Sequence, residues 1–230
     1  MGLTIHYKFS LNNATIAQAR EKVVALRNLA LRLPFQSVDE LVEIEGDACH
    51  FDKDNFDDPH AFIKIRALKP IEIAMNGFSW ENPTYIIGFN SLPREGSETP
   101  IFGLASHSSI KDINDWSWTS FCKTQYASNP EYGGLENFLK CHLLIVKMLD
   151  AACELGITCD VSDETGYWEN RDIEELARII RQHNVLIAAL TGKIKDDLAE
   201  EGIVSQSPIF DYPDFEYLEA EGKQLPDFKS

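Results

Sequence analysis

Apolar and polar residues alternate strictly at the start of the chain. Ile5, Tyr7, Phe9 and Leu11 occupy every second position over residues 4–11, and polar residues fill the positions between them. A period of two residues is typical of a strand with one buried face. The start of the chain is therefore predicted to be a strand, with one side on the core and the other side on an open face.

A helical period follows this strand. Apolar residues recur every three or four positions over 16–33, after Thr15, which can cap a helix, and before Pro34, which ends one. Alternation returns over 40–45 and predicts a second strand. The chain thus opens with a strand, a helix and a strand.

The middle of the chain reads mainly as strands. Residues 84–90 and 100–106 predict a hairpin, whose connection SLPREGSET is rich in turn-forming residues. The aromatic and threonine-rich segment 116–128 predicts a long strand. The polar, acidic segment 46–60 predicts a loop.

The second half of the chain carries the clearest helical pattern, over 135–155, and Gly156 follows where a helix commonly ends. A strand is predicted at 157–163. A last main helix is predicted to start near residue 171 with Asn170 as its N-cap, and to resume over 193–200.

The order of these elements is βαβ–ββ–βαβ–α. It resembles an elaborated ferredoxin-like arrangement, an α+β fold in which helices pack on one face of a mixed or antiparallel sheet. Residues 1–202 are predicted to form a single α+β domain. Residues 203–230 hold three prolines and several aromatic residues, which predicts an extended tail packed on the domain with one short helix at 214–221.

Charge and cysteine usage narrow the class of protein. The chain has 37 acidic and 21 basic residues, a formal net charge of −16, which disfavours nucleic acid and anionic lipid as partners. No uninterrupted apolar stretch is long enough to predict a membrane span. Five cysteines without a CxxC pair and an N-terminus unlike a secretion signal favour a cytoplasmic protein.

An acidic turn with two aromatic residues follows the last predicted strand. Alternation places Asp160 on the open face, and Asp163, Glu164 and Tyr167 come at the carboxyl end of the strand, followed by Trp168. Carboxylates grouped there can act as an acid and a base or bind a divalent cation. Acids also favour exposed turns and helix N-termini for structural reasons. Both interpretations stay open.

His142 lies on the apolar stripe of the central helix, so its side chain is expected to point inward or toward a cleft. A histidine there can be a base or a ligand, or a core residue hydrogen-bonded to a buried acceptor. If the strands beside it pack as one unit, His142 would meet Gln125 or Lys123, and Asp160. His6 is expected on the same open face as Asp160.

No motif predicts a nucleotide cofactor or a nucleophile. The chain has neither a phosphate-binding glycine loop nor a G-x-S-x-G turn. His50, His60 and the acids between them offer metal-binding groups, but loop acids without fixed spacing are usually solvated. The sequence therefore predicts no cofactor and no metal site.

Three segments carry a resemblance: TIHY near the start, KTQYA before the central helix, and DETGYWE after the last strand. They resemble a group of uncharacterised bacterial proteins that share a TIHY-like N-terminus, a KTQYA strand and a DExxYWE turn. The resemblance implies no activity and no catalytic residues for this chain.

Two functions remain open. The first is a non-catalytic domain that binds an unknown protein or small-molecule ligand through the open sheet face and the DETGYWE turn, with Tyr167, Trp168, Gln125 and His6 as binding residues. The second is a hydrolase, with or without a metal ion, built from His142, Asp160, Asp163 and Glu164. The absence of a catalytic signature favours the binding domain.

Overall fold

An antiparallel sheet forms the centre of the molecule. The computed structural model describes residues 3–73, 77–108, 113–201 and 203–226. The elements run in the order β1 (Thr4–Ala14), α1 (Ile16–Ala30), β2 (Ser37–Val38), β3 (Val42–Glu45), α2 (Ala61–Ala67), β4 (Lys69–Ile73), β5 (Gly77–Glu81), β6 (Tyr85–Leu92), β7 (Ile101–Ser106), β8 (Asn114–Lys123), α3 (Gly134–Glu154), β9 (Thr158–Asp163), α4 (Tyr167–Asn170), α5 (Ile173–Glu200) and α6 (Phe215–Gly222).

The main sheet has the strand order β2-β6-β7-β8-β1-β9, and β3 also pairs with β6. Every pair in it is antiparallel. Four neighbouring strands, β7-β8-β1-β9, with α1 after β1 and α3 between β8 and β9, have the ferredoxin-like order, and β6, β3 and β2 extend the sheet. The predicted α+β class is confirmed.

The alternation of β1 decides which residues form the core. Ile5, Tyr7 and Phe9 are buried, and β1 lies between β8 and β9. The residues between them, His6 and Lys8, face the opposite side. We keep the name open face for the side of the sheet that carries His6 and Lys8. The predicted first strand is confirmed.

Helices cover both sides of the sheet, which corrects the prediction of helices on one face only. Residues of α1 and α3 pack with Tyr7 and Phe9 in the main core. The short helix α2 contacts β6, β7 and β8 and lies on the open face, where Arg66 stacks on Phe121, the residue paired with His6. All six residues of β7 are buried, so this strand requires cover on both sides.

The second half of the chain differs from the prediction at two boundaries. Strand β8 ends at Lys123, and a 3-10 turn follows at Gln125–Ser128 where the strand was predicted to continue. Helix α5 runs without a break from Ile173 to Glu200. Its N-cap is Asp172, whose side chain accepts hydrogen bonds from two backbone N–H groups, and not Asn170.

The C-terminal tail packs against α5. A 3-10 turn at Pro208–Asp211 precedes α6, which confirms the predicted short helix. Ile209, Tyr212, Phe215 and Leu218 are buried in a cluster with residues of α5. Over the described ranges, no helix is both long and apolar enough to cross a membrane.

Candidate functional site

A buried histidine–aspartate pair joins α3 to the end of β9. The Nε2 atom of His142 lies 3.0 Å from Oδ2 of Asp163. Both side chains are closed to solvent, with exposed fractions of 1% and 0%. The two residues that the sequence singled out from separate segments therefore meet.

Hydroxyl and backbone N–H groups of neighbouring residues make further hydrogen bonds to both members of this pair. Thr124 Oγ1 lies 3.2 Å from Nδ1 of His142, and Thr165 donates to Oδ1 of Asp163 through both its backbone N–H and its hydroxyl. The backbone N–H of Trp168 donates to Oδ2 of Asp163 at 3.1 Å. With Nε2–H of His142 donating to Asp163, Nδ1 accepts from the Thr124 hydroxyl, so each polar group has a partner.

These hydrogen bonds keep Asp163 ionised. Burial acts to raise the pKa of the Asp163 carboxyl, but the hydrogen bonds from His142 and Thr165 outweigh it and hold the pKa below its usual value. The resulting stabilisation is present above the pKa of an aspartate in the unfolded chain. It is lost as the pH falls through the lower pKa of the folded state.

Aromatic rings pack against His142, whose side chain is closed to solvent among the described residues. The rings of Phe138 and Tyr167 lie 5.6 and 5.9 Å from the imidazole, centroid to centroid. A general base has to reach the proton that it abstracts, directly or through one water. The enclosed pair is suited to hold the DETGYWE turn on α3 rather than to act on a bound molecule.

The other two acids predicted for catalysis lie apart from this pair. Asp160 is on the open face, 77% exposed, with Lys8 Nζ at 3.9 Å. It does not meet His142, because the two residues lie on opposite sides of the sheet. Glu164 extends the pairing of β1 and β9, and its Oε2 accepts from the backbone N–H of Thr4 at 2.8 Å.

Three of the four predicted binding residues are engaged within the fold. Tyr167 packs against the core, and Gln125 is buried with its side-chain oxygen accepting from the backbone N–H of Leu3. The guanidinium of Arg171 covers Trp168 at 4.4 Å from the ring and pairs with both oxygens of Asp150. Asp163, Glu164, Tyr167 and Trp168 of the DETGYWE turn thus all contact other parts of the fold.

His6 is the predicted binding residue that stays on the surface. It is exposed on the open face, and its ring lies 5.7 Å from that of Phe121. Phe121 in turn supports Arg66 of α2, with the guanidinium carbon 3.8 Å from the ring centroid. Phe121 and Arg66 both line a cleft beside α2.

The cleft lies between α2, the ends of β6 and β8, and the connection that follows β6. Its volume is about 520 Å³. The apolar lining residues are Phe62, Leu92, Ile101 and Phe121. The polar lining residues are Ser37, Asp39, Arg66, Asn90, Ser97, Glu98 and Thr99.

Both carboxylates that line the cleft accept hydrogen bonds from other residues of the fold. Asp39 accepts from the side-chain amide of Asn90 at 2.9 Å. Glu98 accepts from the backbone N–H of Lys123 at 3.0 Å, and its own N–H donates to the Lys123 carbonyl at 3.0 Å. These bonds tie the connection after β6 to the end of β8 and fix one wall of the cleft.

The sequence pattern did not single out this cleft. Phe62 and Arg66 are four residues apart on α2, so they share one side of that helix. The sequence pattern indicated only a short apolar segment at 61–68. The one available signal was the length of the turn-rich connection 91–99, because long ordered loops frequently carry binding residues.

The acidic loop at 46–60 does not assemble a metal site in the structure. Over the described part of the chain, no three histidine, cysteine or acidic side chains group together as metal ligands. Asp58 instead pairs with Lys64 Nζ at 2.7 Å.

Comparisons of the chain with protein-family models, with curated proteins and with solved structures return no match. The geometry of the described residues is therefore the basis for a function. The resemblance to uncharacterised bacterial proteins stays a prediction.

Proposed function

We propose that this protein is a binding domain for a small molecule, and that the ligand occupies the cleft between α2 and the open face of the sheet. The observation that carries the proposal is the cleft itself. Its volume of about 520 Å³ falls within the range of about 300–1,000 Å³ that small-molecule sites usually have.

The lining supports the same function. Small-molecule sites usually combine apolar and aromatic walls with a few fixed polar groups that orient the ligand. Here Phe62 and Phe121 supply aromatic surface, while Asp39 and Glu98 are fixed by hydrogen bonds within the fold. The cleft belongs to the open face, the surface that the sequence favoured for binding.

The hydrolase alternative has less support. It requires His142 and a carboxylate at a place that substrate and water can enter. His142 and Asp163 are within hydrogen-bond distance, but both are enclosed, and Asp160 lies on the other side of the sheet. Their geometry fits a structural role.

A blocked-cleft variant tests the proposal. Thr99 is exposed at the edge of the cleft, so Thr99→Trp places a large ring there without removing a core residue. Thr158→Trp is the matched control, since Thr158 is exposed on β9 at the far edge of the sheet. Both variants and the unchanged protein are screened against a small-molecule library by saturation-transfer NMR.

We expect molecules that bind the unchanged protein and Thr158→Trp to lose their signal with Thr99→Trp. Thermal unfolding of each variant verifies that it is folded. The proposal is wrong if the library yields no binder, or if binders keep their signal when the cleft is blocked.

A further inference from the structure

Arg66 is a half-buried cation that lies beside Phe121 and Glu98. Over the described residues it makes neither a hydrogen bond nor an ion pair, and its polar neighbour Glu98 is engaged by the backbone of Lys123. Burial lowers the pKa of the Arg66 guanidinium, because the fold withdraws water from this charge. An arginine nevertheless stays protonated in proteins.

The aromatic support of Arg66 leaves its hydrogen-bond donors free. The guanidinium carbon lies 3.8 Å from the centroid of Phe121, so the ring covers one flat side of the group. A guanidinium donates in its own plane, through a fork that matches a carboxylate or a phosphate. The fork of Arg66 therefore remains available to a molecule in the cleft.

Arg66 is the donor that the lining leaves for an anion. Among the described residues that line the cleft it is the one cation, and the carboxylates of Asp39 and Glu98 already accept hydrogen bonds within the fold. The chain as a whole carries a net charge of −16. An anion has no comparable attraction to the rest of the acidic surface. A neutral molecule can accept a hydrogen bond from Arg66 but lacks the charge that an oxyanion brings to the guanidinium.

The apolar lining adds a second requirement. Phe62 is 73% exposed although it lies four residues from Arg66 on the same side of α2. Leu92, Ile101 and Phe121 provide further apolar surface in the cleft. A molecule with an apolar or aromatic body beside its anionic group would cover Phe62 while it meets Arg66.

We infer that the cleft takes a small molecule with an oxyanion head group on an apolar or aromatic body, and that Arg66 binds the oxyanion. This inference rests on the proposed function, because it assigns the ligand class of the same cleft. Carboxylates and phosphate esters both satisfy it.

Molecules that differ only in their head group test the inference. The probes are 3-phenylpropionate and phenyl phosphate as anions, 3-phenylpropanol as the neutral form and 3-phenylpropylamine as the cation. Isothermal titration measures each one against the unchanged protein, Arg66→Met and Arg32→Met. Arg32 is exposed after α1, away from the cleft, so its variant loses the same charge elsewhere.

We expect at least one anion to bind about tenfold or more tightly than either the alcohol or the amine. Arg66→Met should abolish this preference, and Arg32→Met should keep it. The two anions then show whether a carboxylate or a phosphate is preferred.

Other results separate the two proposals. If the alcohol binds as tightly as both anions, or if Arg66→Met keeps the anion preference, the cleft binds small molecules but the assigned class is wrong. If no probe binds and the library screen with the Thr99→Trp variant also finds no binder, both proposals fail.

Discussion

Asp163 illustrates how one carboxylate can connect several parts of a chain. It accepts from His142 of α3, from Thr165 in the following turn and from the backbone N–H of Trp168 at the start of α4. The same residue type in a cleft would be a candidate acid or base. Here enclosure and complete hydrogen bonding give it a structural role.

The sequence pattern was sufficient to place Asp163 on the buried face of β9. Cys159 and Val161 pack inward, and Asp163 continues that alternation, while Asp160 falls on the other set. Alternation alone correctly placed Asp160 on the open face. It did not reveal that His142 of α3 lies beside Asp163, because that contact depends on how the helix packs on the sheet.

At this scale we predict that Asp163→Ala lowers the free energy of unfolding by about 3 kcal/mol, because it leaves His142 buried without its acceptor. Asp160→Ala is the control on the same strand and should change it by less than about 0.5 kcal/mol. Urea denaturation followed by circular dichroism measures both. Equal losses for the two variants would contradict the structural role of the buried pair.

Helices and strands with a strong period were predictable, and short elements were not. The pattern placed β1, α1 and α3 because each has a repeated apolar set that decides its structure. Helix α2 is seven residues long and has no room for such a repeat. The continuity of α5 also lay beyond the sequence pattern, since the tail that covers it supplies much of the apolar surface that it needs.

The contact between α5 and α6 is close enough to require a glycine. A β-carbon at Gly222 would lie 2.5 Å from the carbonyl oxygen of Val185 and 2.6 Å from Cβ of Ala189. The tail therefore packs on α5 at a distance that a larger residue prevents.

We predict that Gly222→Ala separates α6 from α5 and lowers the free energy of unfolding by about 1–3 kcal/mol. Limited proteolysis should cut the tail of this variant faster than that of the unchanged protein. Glu216→Ala, on the exposed side of α6, is the control and should be cut at the original rate. If Gly222→Ala is as resistant as the control, the close helix contact does not hold the tail.

The buried His142–Asp163 pair and the cleft with Arg66 lie on opposite sides of the main sheet. The His142–Asp163 pair is enclosed beneath α3, and the cleft with Arg66 lies beside α2 on the open face. The sequence favoured binding at the open face and at the DETGYWE turn together. The open face offers a cleft with an unpaired donor, whereas Asp163, Tyr167 and Trp168 of the turn are engaged within the fold.

The α+β class was visible in the sequence, but the cleft was not. The cleft arises where α2, the connection after β6 and the end of β8 meet, and these segments are distant along the chain. Their contact depends on sheet order and on a short helix, neither of which has a local pattern.

The most direct measurement of the central claim is chemical-shift mapping of the ¹⁵N-labelled protein during titration with the tightest binder of the phenyl probe series. We predict that the largest amide shifts occur at Arg66, Ser97 and Thr99, which line the cleft, while the amides of 163–168 stay unchanged. Shifts concentrated at 163–168, with the cleft amides unmoved, would contradict the claim that the cleft is the binding site.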